Sequence, residues 1–214
     1  MPLTPPVVGF DLDMTLIDSR PGIGAVYDAL AAETGVAIDT ALVTSRLGPP
    51  LSVELANWFP AERVPAMVDR YRGLYASLAI GPSAALPGAV SALEAVHSHG
   101  GSTVVVTSKI ARSAWLHVEH LGLAVDDLVG DVYAAAKGPA LAERGAVVYV
   151  GDHTADIAAA RAAGTVSVAV ATGPFPADAL RRAGADVVLD DLRAFPTWFA
   201  DFSRPREPRG PRGS

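Results

Sequence analysis

Short β-branched apolar runs alternate along this chain with stretches of helical length, and that alternation constrains the fold more than any other feature. Val7 to Phe10 is continuously apolar and ends in Asp-Leu-Asp, as expected of a buried central strand with carboxylates at its C-terminal end. Thr103 to Val106, Ala146 to Val150, Val166 to Val170 and Asp186 to Leu189 read the same way, and a weaker strand is expected over Leu128 to Tyr133. Between them Ala111 to Leu121, Ala155 to Ala163 and Ala177 to Ala183 have helical length, and each runs into a glycine suited to a C-cap. The alternation predicts an α/β fold, a doubly wound parallel sheet of Rossmann type with helices on both faces.

One connection breaks this plan. About ninety residues separate the first strand from the second, where an ordinary crossover needs a dozen or more. Within that span Ile23, Val26 and Leu30 recur at helical spacing, as do Val64, Met67, Val68, Tyr71, Tyr75 and Leu78, and no strand pattern stands out. The expected organisation is a core from residues 1–18 and 87–202, with a small helical domain inserted over 19–86 and Ala89 to His99 forming the first core helix after it. The closing SRPREPRGPRGS has no apolar anchor and reads as a disordered tail, 203–214.

Composition removes several classes of function. The absence of cysteine excludes disulfides, thiolate metal sites and a cysteine nucleophile. A net charge of -6 argues against a nucleic-acid polymer as partner, because binding the phosphate backbone needs clustered basic residues. No apolar run approaches the roughly 18 residues that cross a bilayer, so no membrane partner is expected. MPLTPP lacks the basic region of a signal peptide, which points to a cytoplasmic protein, monomer or homodimer, acting on small molecules. Of seventeen basic residues fifteen are arginine, so the two lysines, Lys109 and Lys137, draw notice as positions where a compact ammonium is needed.

Candidate chemistry gathers at the strand ends. Asp11 and Asp13 flank Leu12, with Thr15 following. Two carboxylates so close repel unless a cation compensates, and a divalent metal would let one act as nucleophile while the other moves a proton. Capping aspartates are the alternative. Asp152, in Gly151-Asp152-His153-Thr154-Ala155-Asp156, again follows an apolar strand and opens a helix, where open α/β sheets bind ligands; hard oxygen donors there suit Mg²⁺. Thr107-Ser108-Lys109 ends another strand, either as a turn or as a cradle for phosphate oxygens, and Lys137 stands before a helix, able to neutralise a phosphoryl group. His153 reads as a loop residue contacting solvent or substrate, and His97, His99, His117 and His120 as structural or exposed.

In sequence order, DLDMT, VVVTSK, Lys137 and VGDHTAD resemble the four motifs of the haloacid dehalogenase superfamily, over roughly Val7 to Leu192. The insert resembles that family's helical cap, and Leu47-Gly48-Pro49-Pro50-Leu51 is similar to the cap loop of phosphoglycolate-phosphatase-like members. The resemblance implies Asp11 as the nucleophile that becomes phosphorylated, Asp13 as general acid and base, Thr107 and Ser108 as phosphoryl ligands, and Lys137 as the cation steadying nucleophile and phosphate. Mg²⁺ would be held by Asp11, Asp152 and the backbone carbonyl of Asp13, with Asp156 supporting the metal shell or Lys137. Arg46 and Gly48 would help select the substrate, Arg46 by clamping a second anionic group or else standing as a solvated helix residue.

Met14 replaces a glycine common in the first motif, and no proline follows Lys137, which leaves Lys109 a rival phosphate ligand. The implied function is a Mg²⁺-dependent phosphatase acting on a small phosphomonoester, phosphoglycolate-like. A phosphomutase using the same intermediate, a receiver domain and a non-catalytic phospho-ligand binding protein are the alternatives.

Overall fold

The computed structural model of the chain describes residues 5–204, so most of the expected tail lies outside the described residues. In chain order the elements are β1 (Val7–Phe10), β2 (Ile17–Asp18), α1 (Arg20–Thr34), α2 (Thr40–Ser45), α3 (Leu51–Leu55), α4 (Val64–Leu78), β3 (Ala84–Ala85), α5 (Ala89–Ser98), β4 (Ser102–Val106), α6 (Ala111–His120), β5 (Asp127–Val129), α7 (Lys137–Glu143), β6 (Ala146–Gly151), α8 (Thr154–Ala163), β7 (Val166–Val170), α9 (Ala177–Arg182), β8 (Val187–Leu189) and α10 (Phe195–Phe202). Six strands form one parallel sheet in the order β5-β4-β1-β6-β7-β8. Because the first strand made lies between β4 and β6, its C-terminal end is flanked by theirs.

Side chains from β1 alternate between two apolar layers. Val8 and Phe10 join Val105, Val150, Val168, Phe195 and Phe199 on one face, while Val104, Val106 and Tyr149 pack with Leu141 and Ala160 on the other. The expected doubly wound core is therefore present. Helix α10 closes the first layer, with Phe195 and Phe199 fully buried and their rings stacked at 5.4 Å.

Helices α1 to α4 bury their apolar faces in a separate cluster built on Val26, Tyr27, Leu30, Leu55, Tyr71 and Tyr75. The helical spacing read from the sequence marks these faces. Two corrections apply around the expected elements. A two-residue antiparallel pair, β2 with β3, joins the insert's two ends, too short to produce a strand pattern. The weak strand expected over Leu128 to Tyr133 is Asp127–Val129 only, because Asp131 turns to φ 64 and a Cβ on Gly130 would stand 2.2 Å from the Ala111 nitrogen. No helix among the described residues is long and apolar enough to cross a membrane.

Candidate active site

Asp11 leaves β1 beside Asp152 at the end of β6, and the turn after each strand brings further groups to that edge of the sheet. Asp11, Asp152 and Asp156 are buried, and each offers a carboxylate oxygen within 4.8 Å of the others. Lys137 is the first residue of α7 rather than one standing before a helix, and its chain runs inward to 3% exposure. Its Nζ donates to Asp156 Oδ1 at 2.7 Å and to the Tyr149 hydroxyl at 2.8 Å. It also stands 3.0 Å from Asp11 Oδ1, an ion pair off the hydrogen-bond direction, which leaves that oxygen buried without a hydrogen-bond partner.

Burial pushes Asp11 up to about 7, against the pull of Lys137 and with the help of Asp156 and Asp13. Asp152 is raised well above the carboxylate range by burial and by the charges of Asp156 and Asp11. Lys137 is raised, because Asp11 and Asp156 outweigh its desolvation. These three carboxylates share one ammonium. Such a set is short of positive charge, and its donors are hard oxygens.

Small residues leave room around them. A Cβ on Gly173 would lie 1.8 Å from Asp152 Oδ2, and one on Gly151 would lie 2.4 Å from Asp156 Oδ2. Thr15, buried at 0% exposure, donates to Asp152 Oδ1 at 2.8 Å and fixes its rotamer. The orphaned Asp11 oxygen, the glycine-lined carboxylates and the oxygen donor set together fit a small divalent cation such as Mg²⁺.

Asp13 faces elsewhere. Its carboxylate accepts from the Ser19 hydroxyl and pairs with Lys109 Nζ at 3.0 Å, so it is not one of the three clustered carboxylates. Although burial opposes ionisation, Lys109 and Ser19 hold Asp13 below the usual carboxylate value. Both lysines of the chain thus sit in the site, one on each aspartate of the first motif.

Thr107 is buried after β4, and its Oγ1 accepts from the Lys109 amide at 3.2 Å in a local turn. Ser108 donates to the Gly48 carbonyl at 3.1 Å, tying the sheet edge to the insert's loop. Gly48, at φ 138, lies so close to His153 that a Cβ would stand 3.1 Å from the ring. His153, read from the sequence as a loop residue contacting solvent or substrate, stands half-buried at the N-cap of α8, with Nδ1 accepting from the Ala155 amide at 3.0 Å and its ring edge-on to Phe175. Arg46 is bound through Nε and Nη2 to both oxygens of Glu54, at 3.0 and 2.7 Å, so it is neither a free clamp nor a simply solvated side chain.

Two contributors carry no motif. Tyr149 and Ser19 each hold a charged group of the site, yet each reads in sequence as an ordinary strand or turn residue. Tyr149 does interrupt an apolar run three positions before Asp152, the one available signal. A cavity of about 170 Å³ opens between sheet edge and insert, with Asp11, Asp13 and Asp152 on its floor and Arg46, Gly48, Ser108 and Lys109 among its walls.

Comparison with known proteins gives a consistent result. The family model described as haloacid dehalogenase-like hydrolase matches residues 8–161. A phosphoglycolate phosphatase of Rhodospirillum rubrum is 29% identical over 94% of this chain and 93% of its own length. One from Xanthomonas campestris pv. campestris is 35% identical over 79% of this chain and 84% of its own. Among solved structures, a haloacid dehalogenase-like hydrolase from Streptococcus pneumoniae superposes with a TM-score of 0.80 at 23% identity, covering 91% of this chain and 98% of that one, which speaks for the fold alone.

Proposed function

The chain belongs to the haloacid dehalogenase-like hydrolase family, and from that premise we propose that it is a Mg²⁺-dependent phosphatase that hydrolyses a small phosphorylated metabolite through a phosphoaspartate on Asp11. The observation that carries the reading is the cluster of Asp11, Asp152 and Asp156 compensated by the single buried Lys137. Asp11, Asp152 and the Asp13 carbonyl would hold the ion, which supplies charge neutralisation between the phosphoryl oxygens and the attacking carboxylate.

In the first half-reaction an Asp11 oxygen bonds to phosphorus as the ester P–O bond breaks, and the alcohol leaves with a proton from Asp13. In the second, Asp13 as carboxylate takes a proton from water, the water oxygen attacks phosphorus, and inorganic phosphate departs from a restored Asp11. Lys109 and Ser19 favour the carboxylate form of Asp13 before substrate arrives. An entering phosphate dianion raises its pKa and prepares it to act first as acid. The Thr107 hydroxyl and the Ser108 amide hold phosphoryl oxygens, while Lys137, steadied by Asp156 and Tyr149, balances the charge on Asp11.

Residues 19–86 act as the cap over a core of 1–18 and 87–202. The cap excludes bulk water from the phosphoaspartate, and its Leu47–Leu51 loop meets the leaving alcohol. The relatives' names make phosphoglycolate the reference substrate. The test is phosphate release from a panel of phosphomonoesters with and without Mg²⁺, beside Asp11→Asn. Release that requires both the ion and Asp11 is expected; release that survives Asp11→Asn would remove the nucleophile from the scheme.

A further inference from the structure

We infer that the preferred substrate is a phosphomonoester of an uncharged alcohol with an apolar body next to the ester oxygen, an aromatic or branched aliphatic alcohol, rather than one bearing a carboxylate there. The inference rests on the phosphatase reading and parts from the relatives' named substrate in the charge of the leaving group.

The cavity floor is set by the reacting carboxylates, so the leaving alcohol must occupy the space between them and the cap. There the wall is apolar: Tyr71 and Tyr75, with ring centroids 5.5 Å apart, stand with Leu47, Leu51 and Val68. The Tyr75 hydroxyl is already engaged by Lys109 and His117, so the polar groups this wall offers are the neutral hydroxyls of Tyr27 and Tyr71.

Two of the three lysine and arginine residues lining the cavity are already paired. Both oxygens of Glu54 hold Arg46, and Glu54 Oε1 also accepts from Trp58 Nε1 at 2.9 Å, so the pair is braced as well as neutral. Lys109 is held by Asp13 at 3.0 Å and by the Tyr75 hydroxyl at 2.6 Å. Arg72 also lines the cavity, exposed and with no ion pair among the described residues. The carboxylate of phosphoglycolate sits one carbon from the ester oxygen, and so close to phosphorus it cannot extend to solvent. It would be desolvated beside Asp13, where the nearby Lys109 is already paired. An apolar group in the same place gains from burial against the tyrosines and leucines.

The test compares kcat/KM, with saturating Mg²⁺, for benzyl phosphate and 2-phosphoglycolate. Both leave as alkoxides of similar basicity, so intrinsic reactivity does not decide the ratio. Benzyl phosphate is expected to be favoured by about tenfold or more, the order of difference a pocket makes when it accepts an apolar group and strands a charged one; any smaller ratio, or a preference for 2-phosphoglycolate, overturns the inference. Glu54→Gln keeps an acceptor for Trp58 and releases the charge of Arg46. It should narrow the ratio by raising kcat/KM for 2-phosphoglycolate through a lower KM, and an unaltered ratio in a folded variant would remove the Arg46–Glu54 pair from the account. If no ester in the comparison is turned over, 4-nitrophenyl phosphate included, it is the phosphatase reading that fails.

Discussion

The Tyr75 hydroxyl, carried on α4, accepts a hydrogen bond from Lys109 Nζ at 2.6 Å. Since an ammonium only donates, the tyrosine must pass its own proton on, and His117 Nε2 lies 2.8 Å away to accept it. In that arrangement His117 is neutral, in keeping with burial, which lowers it to about 4, and its proton falls on Nδ1, which is buried without a hydrogen-bond partner among the described residues. A line of groups thus runs from a core histidine through a cap tyrosine to the lysine that faces Asp13, 3.0 Å farther on.

Tyr75→Phe keeps the ring and removes the link. With Lys109 released, Asp13 should be poorly placed to protonate a leaving alcohol, lowering kcat for alkyl phosphates by about tenfold, a fraction of a full general-acid contribution. Turnover of 4-nitrophenyl phosphate, whose leaving group needs no proton, should change by less than about twofold. Steady-state rates on both esters check this; an equal loss on both would mean that the hydroxyl serves only folding.

The raised Asp11 sets a pH dependence. A carboxylate with a folded-state value of about 7 keeps a proton that the unfolded chain has already lost. Its contribution to stability is fully present below the ordinary value of 3.8 and is lost as pH rises through about 7. Mg²⁺ takes the place of that proton. The melting temperature of the metal-free protein should therefore rise more on adding Mg²⁺ at about pH 8 than at about pH 5, and Asp11→Asn should flatten the difference in differential scanning fluorimetry.

Lys137→Met leaves Asp11 and Asp156 buried without their shared cation. Breaking a buried pair of this kind costs about 3–5 kcal/mol, which urea unfolding of the metal-free variant should reveal. Mg²⁺ should recover more stability in this variant than in the parent, while turnover stays down by about a hundredfold or more.

Two glycines predict opposite outcomes. Gly173→Ala would place a Cβ 1.8 Å from Asp152 Oδ2, and Thr15 keeps that carboxylate from swinging away. Mg²⁺ affinity, read by titrating activity, should fall by about tenfold or more. Gly73→Ala, inside α4 with nothing within 4 Å, should stabilise the protein by about 0.5–1 kcal/mol in the same urea experiment.

Much of the fold was legible because its strands are buried on both faces and read as unbroken apolar runs, and because carboxylates that end such runs fall at the sheet edge where open α/β sheets bind ligands. That logic located Asp11 and Asp152, and the scarcity of lysine pointed to Lys109 and Lys137. Periodicity identified the apolar face of α4 but could not show that Tyr75 on that face sends its hydroxyl across to the core. The capping role of His153 was not legible because histidine is an uncommon N-cap. Helix α10, FPTWFADF, escaped notice because its aromatic residues have modest helix propensity and its length is only two turns. Met14 marks a place where a family departure has a backbone meaning: at φ 61 it adopts the left-handed conformation that glycine takes freely, held by Thr172 donating to its carbonyl.

The central place of β1 also governs when activity can arise during synthesis. Val7–Phe10 leave the ribosome well before their neighbours Ser102–Val106 and Ala146–Gly151, so the strand waits without a partner until those segments are made. Until then an apolar segment needs protection from other nascent chains, and the intervening helices are what can settle locally. A polypeptide that stops before residue 146 carries Asp11 but neither Asp152 nor Asp156. Termination before that point therefore releases a fragment that needs clearance and lacks two of the three clustered carboxylates.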